Sequence, residues 1–126
     1  MAYQSNPIFE YFTDSDKITC RAVGAVTGKT LVKLVAGGAD QVPAISTAGA
    51  SDVAYGVAGW DAADGEKVTI YRRGVLSVTA SAALTAGTRV QPAANGRVAA
   101  LTTGTPVGQI HADAASGADA AVAVNF

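Results

Sequence analysis

Charge, sulfur, histidine and aromatic residues are all scarce in this 126-residue chain, and each scarcity removes a class of function. Charged residues make up 15% of the sequence and nearly balance, nine Lys and Arg against ten Asp and Glu. The net charge of −1 leaves no basic field to hold a phosphate backbone, so nucleic acid is not an expected partner. The lone histidine, His111, excludes a His-based metal cage or a two-histidine mechanism. A Ser/His/acid triad would come with a nucleophile-elbow sequence, which is absent, so His111 reads as a strand-face residue. The lone cysteine, Cys20, has no internal disulfide partner, which fits a reducing cytoplasm; its place in a strand pattern makes it a core thiol. No apolar run approaches the roughly 18 residues that span a bilayer. The N-terminus lacks the basic-then-apolar order of a secretory leader, and no membrane partner is expected.

What is abundant is Ala and Val, punctuated by 14 glycines. Short Val/Thr/Ile runs between Gly, Asn and Asp are the pattern of an all-β domain. Strands are expected over residues 18–26, 30–35, 55–60, 67–72 and 75–79, with 107–111 and 120–124 as a closing pair. Val68, Ile70 and Arg72 alternate with Lys67, Thr69 and Tyr71, the period of a half-buried strand. Residues 41–51, small and polar with Pro43, read as a connection with little regular structure. Residues 80–84 read as one short helical turn. The chain is expected to divide into an N-terminal arm, 1–16, and a single β domain, 17–126. A sequence echo joins Leu84-Thr85-Ala86-Gly87-Thr88-Arg89-Val90 to Leu101-Thr102-Thr103-Gly104-Thr105-Pro106-Val107, with residues 26–32 as a looser third copy. Repeated hairpin chemistry, rather than a solenoid, accounts for it.

Four of the eight aromatic residues, Tyr3, Phe9, Tyr11 and Phe12, fall in the first twelve positions. Aromatic side chains dominate core and interface energetics, and a folded body normally keeps them for itself. With Pro7 and Ile8, they suggest an extended arm that packs on a partner; the other reading is a first strand of the chain's own sheet.

Candidate chemistry is thin. The stretch from Gly24 to Thr30 has three residues between its glycines where a phosphate loop has four, and it leads into a strand pattern instead of a helix, so it reads as a hairpin turn. Gly28 is expected there for a φ that β-branched residues resist. Asp61, Asp64 and Glu66 lack calcium-loop spacing and read as a polar turn. Arg72-Arg73 is either a solvated strand end or a salt-bridge site for an acidic partner surface. Trp60 reads as core or interface filler. No constellation supports catalysis, and no enzyme activity, cofactor or metal is expected.

Gly56-Val57-Ala58, the turn and strand at 61–69, Gly74-Val75, 84–90 and Gly96-Arg97-Val98 resemble the tailed-phage capsid cement or head decoration proteins, those like the lambda head decoration protein. Residues 20–35, an Ala-Val-Thr-Gly turn followed by Leu31-Val32-Lys33, resemble the front of that family. The likeness covers about residues 18–112. It implies a compact β-tulip or β-barrel-like fold and a homotrimer on the outer surface of the virion. It also implies N-terminal arms engaging the major capsid protein, so that shell subunits are bridged and stabilised. The competing reading from the residues is a particle-displayed carbohydrate- or host-binding β module with Trp60 and Tyr71 as stacking residues.

Overall fold

The computed structural model describes residues 5–9, 16–39, 42–50 and 52–126. Their regular structure is ten strands and one 3₁₀ turn, Ala94–Gly96. β1 (Lys17–Ala22), β2 (Leu31–Ala39), β3 (Val42–Thr47), β4 (Gly56–Ala58) and β5 (Lys67–Tyr71) close into a barrel in the order β1-β3-β2-β4-β5. β6 (Arg73–Thr79), β7 (Arg89–Pro92), β8 (Val98–Ala100), β9 (Gly108–Ile110) and β10 (Asp119–Asn125) form a second sheet in the order β6-β10-β9-β7-β8. The all-β expectation holds. Two local expectations do not. Residues 42–47 are a barrel strand, paired parallel to β1 and antiparallel to β2, because Val42, Ala44 and Ile45 supply enough apolar surface despite Pro43. Residues 80–84 are not helical: Ala80 and Leu84 each make an isolated β-bridge, and tertiary pairing overrides the helix preference of Ala and Leu.

The second sheet repeats the first barrel strand for strand. β1–β5 pairs Ile18 with Ile70 and Cys20 with Val68; β6–β10 pairs Leu76 with Val122 and Val78 with Ala120. β2–β4 pairs Leu31 with Val57 and Val32 with Gly56; β7–β9 pairs Arg89 with Gln109 and Val90 with Gly108. Even the parallel pair recurs, Ala22 with Ile45 in the barrel and Ala80 with Val98 in the sheet. The body is therefore an internal duplication, and Arg72 alone separates its halves.

Each half is closed by two identical turns bound face to face. Val26 and Ala62 exchange both backbone hydrogen bonds, at 2.9 and 3.0 Å, as do Leu84 and Ala114, at 2.9 Å each. The residue before the second bridge partner caps the first turn: Asp61 Oδ1 accepts the Gly28 N–H and Asp113 Oδ1 accepts the Ala86 N–H, both at 2.8 Å. Three residues past each bridge the backbone turns left-handed, at Lys29, Gly65, Gly87 and Gly117. Glycine suits three of these positions. Lys29 holds the fourth and makes a 2.8 Å ion pair with Asp119 of the other half. The Leu101–Val107 echo has no such bridge and no left-handed glycine, so the looser copy at 26–32 is the true structural equivalent of 84–90.

One apolar cluster fills the barrel, with Cys20, Val26, Val32, Ile45, Ala58, Val68 and Ile70 at its centre. A second joins the halves: Leu31 and Val57 on the outside of the barrel pack with Leu76, Val78, Val98, Ile110 and Val122. The same registered pair in the second half is Arg89 and Gln109, which face solvent. The duplicated position is apolar where the other half covers it and polar where it is exposed.

Burial pushes the Cys20 thiol up to about 11, a rise that Arg72's charge only partly opposes. With about one thiol in a thousand ionised at pH 8, a thiolate-specific reagent should leave the native protein unmodified and label one site after denaturation; native labelling at the free-thiol rate would contradict this burial. Asp113→Ala should cost about 1 kcal/mol, measured by urea unfolding, through loss of one charge-assisted bond. Asp61→Ala should cost more, because Asp61 Oδ1 also accepts from Asn6 Nδ2 at 3.1 Å.

Candidate functional site

The N-terminal segment, as far as it is described, is fastened to the barrel. Asp61 N–H donates to the Ser5 carbonyl at 2.9 Å, and Asn6 Nδ2 donates to the Gly28 carbonyl at 3.1 Å. Ile8 N–H donates to the Gly59 carbonyl, and the Ile8 side chain is half-buried against the cluster that joins the halves. Gly28 has no left-handed φ, contrary to the sequence expectation. It is needed for close approach instead: a Cβ there would fall on the Asn6 carbonyl oxygen and lie 2.9 Å from Trp60 Cα. Its counterpart in the second half, which no such segment crosses among the described residues, is Ala86.

Of the residues expected to meet a partner, Pro7 is exposed, Ile8 is half-buried, and Phe9 is 58% exposed. Tyr3, Tyr11 and Phe12 lie outside the described residues. Phe9 N–H donates to Ser77 Oγ at 2.9 Å, and Ser77 N–H donates to the Phe9 carbonyl at 3.2 Å. These bonds fall on β6, an outer strand of the second sheet. Asp16 returns to the start of that strand, its carbonyl accepting the Arg72 N–H at 2.8 Å. Phe9, 58% exposed, thus sits on a fixed backbone.

Both basic residues of the Arg72-Arg73 pair have partners within the chain. Arg73 makes a 3.0 Å ion pair with Asp16, both largely exposed. Arg72 lies 4.2 Å from the Tyr55 ring centroid, and its Nε donates to the Tyr55 carbonyl at 3.0 Å. Trp60 packs against the barrel cluster and Tyr71 against the cluster between the halves, so the two rings do not form one stacking platform.

The acidic turn is occupied by backbone. Asp64 Oδ1 accepts from Gly24 N–H at 2.8 Å and Glu66 Oε1 from Ala63 N–H at 2.7 Å. Among the described residues no group of three His, Cys, Asp or Glu side chains could hold a metal ion.

Sequence reasoning missed one surface. A cleft of about 480 Å³ is lined by Leu34, Val53, Ala54, Tyr55, Arg72 and Phe126. Leu34 is 52% exposed and Val53 is 72% exposed, the two large apolar side chains that stand open in one place. Asp52, next to Val53 in the chain, is held below the ordinary carboxylate range, first by the Gly49 N–H and then by the Lys33 ammonium. The only sequence signal was the uncharged run from Leu34 to Ala39, which reads equally well as a buried strand.

A solved structure with the same architecture is the N base of the head fiber protein gp8.5 of bacteriophage phi29. The likeness has a TM-score of 0.73 and covers 89% of this chain and 95% of that one, at 19% sequence identity. It establishes the shared fold. No curated protein matches the sequence. The family model described as phage cement protein matches residues 12–126, which takes in every strand of both halves and every reciprocal turn. A duplicated β body with its carboxylates spent on its own turns thus belongs to the phage cement protein family, the capsid-associated structural proteins of the virion.

Proposed function

We propose that the protein decorates the outer surface of the phage head as a homotrimer and stabilises the shell by bridging major capsid protein subunits. The observation that carries this reading is the N-terminal segment. It is bonded to the body through backbone groups of Ser5, Ile8 and Phe9 and through the Asn6 side chain, while Phe9 stays 58% exposed. An apolar side chain on a rigid mount loses little ordering entropy when a partner covers it. Covering the 58% of Phe9 that is still exposed is worth about 2–4 kcal/mol at about 25 cal/mol per Å², given about 150–250 Å² for a whole aromatic side chain. Three segments on one trimer act together through effective concentration. A protein that binds the assembled lattice better than free subunits stabilises that lattice by mass action. The role is non-enzymatic. The carbohydrate- or host-binding alternative gains no support, since Trp60 and Tyr71 are packed into separate clusters.

Shells prepared without the protein should take it up to saturation at three copies per three-fold position, read by quantitative gel or cryo-EM. Saturation at sites with no three-fold relation contradicts the trimer. Replacing Phe9 with Ser should leave stability within about 0.5 kcal/mol, as for other exposed positions, and should lower co-sedimentation with shells at least tenfold. Gly28→Ala should keep its turn, as Ala86 does in the second half, but dislodge residues 5–8 and weaken binding as well. Unchanged binding by both variants would remove the segment from the interface.

A further inference from the structure

The two halves differ most between their second and third strands. Leu34 and Ile45 face each other across β2 and β3, and their counterparts in the second half are Pro92 and Val98. The first hairpin has ten residues between these positions and the second five. At the matching point the second half carries a buried proline, which has no N–H to offer a further strand. The first half carries Leu34, half-exposed and with an N–H.

That N–H points outward. Ala48 N–H bonds to the Leu31 carbonyl on the β3 side, and Tyr55 N–H bonds to the Val32 carbonyl on the opposite side. Alternation along the strand turns the N–H and C=O of Leu34 toward the second side, where β4 pairs with Leu31 and Val32 alone among the described residues. Beyond Val32 this edge of β2 forms one wall of the apolar cleft. Sheet edges are usually blunted by Lys, Pro or an inward charge. From Leu34 to Ala39 β2 has none of these; its one such device is a register irregularity between Val35 and Ala39.

We propose that this cleft is a strand-addition site for an extended apolar segment of the capsid protein. Leu34 supplies the backbone pair, and Val53, Ala54 and Phe126 supply the side-chain pocket. The proposal rests on the capsid-decorating reading above. Charge selects an uncharged segment: Arg72, the one charged residue of the lining, is turned onto the Tyr55 ring, and Lys33 and Asp52, next in sequence to Leu34 and Val53, are paired with each other at 3.1 Å. Area selects the shell over a second free copy. Six edge residues at about 3.3 Å each make a contact about 20 Å long. Such a contact falls short of the roughly 800 Å² per partner that a stable pairwise interface needs. A lattice that offers many segments at fixed spacing makes so small a contact useful through multivalency.

The test uses the full-length protein and shells prepared without it. Leu34→Pro copies the second half and removes the N–H; Val53→Asp puts a charge in the pocket at a position that is 72% exposed, so its folding is not at stake. Both should lower shell affinity at least tenfold with unchanged melting temperature. Val23→Asp, exposed elsewhere at 46%, should not. Should Leu34→Pro fail to fold, Val53→Asp decides alone. Wild-type binding matched within twofold by Val53→Asp overturns the inference and leaves the decorating function intact. Loss of binding that only follows dissociation of the free oligomer also overturns it, and makes the cleft a subunit contact. No binding by the wild-type protein overturns the decorating function itself, and this site with it.

Discussion

Reciprocal amide–carbonyl exchange between paired turns holds this molecule in shape. Val26 with Ala62, and Leu84 with Ala114, each give both hydrogen bonds to the other, and the residue four before each bridge binds the partner's turn in the same way. Ala22 takes the Gly65 N–H and gives its own to Glu66, and Ala80 does the same with Gly117 and Ala118. These exchanges fix where every strand begins and with what register it pairs. A chain so poor in large side chains relies on backbone bonds for that definition, because Ala and Val carry little shape to distinguish one register from the next. Asp61 and Asp113 complete the arrangement by meeting the N–H groups that the tight turns leave over.

Against that constant frame, the proposed partner contacts lie where the copies part. The N-terminal segment crosses the first half, and there the turn needs Gly28 while its twin keeps Ala86. The outside of β2 and β4 is apolar at Leu31 and Val57, where the second half covers it, and polar at Arg89 and Gln109. The sheet edge is stopped by Pro92 in one copy and left open at Leu34 in the other. Duplication supplies its own control: a residue pair at one register position, in two environments, separates what the fold requires from what a partner requires.

The strand pattern made most of the β elements legible, since Val/Ile/Thr runs between glycines coincide with β1, β2, β5, β6, β9 and β10. β3 was lost to Pro43 and its small neighbours, whose strand character comes from pairing on both sides. The duplication was within reach. Asp61-Ala62-Ala63 and Gly65 recur as Asp113-Ala114-Ala115 and Gly117, and Thr27, Thr30 and Val32 recur as Thr85, Thr88 and Val90. The louder match, at 101–107, drew attention away because letter identity carries no information about which carbonyl a turn will face. The cleft was illegible for another reason: an apolar strand edge looks the same in sequence whether covered or bare.

Arg72, the single residue between the halves, receives both ends of the body. Its N–H bonds to the Asp16 carbonyl at 2.8 Å, and its carbonyl accepts the Phe126 N–H at 3.0 Å. Entry, junction and exit thus lie within a few ångströms of one another, like the three wires of a single node. The order in which the halves are written along the chain is then a matter of where the loop was cut. A permuted chain that opened at this node and joined Phe126 to the first barrel strand would keep every strand's neighbours.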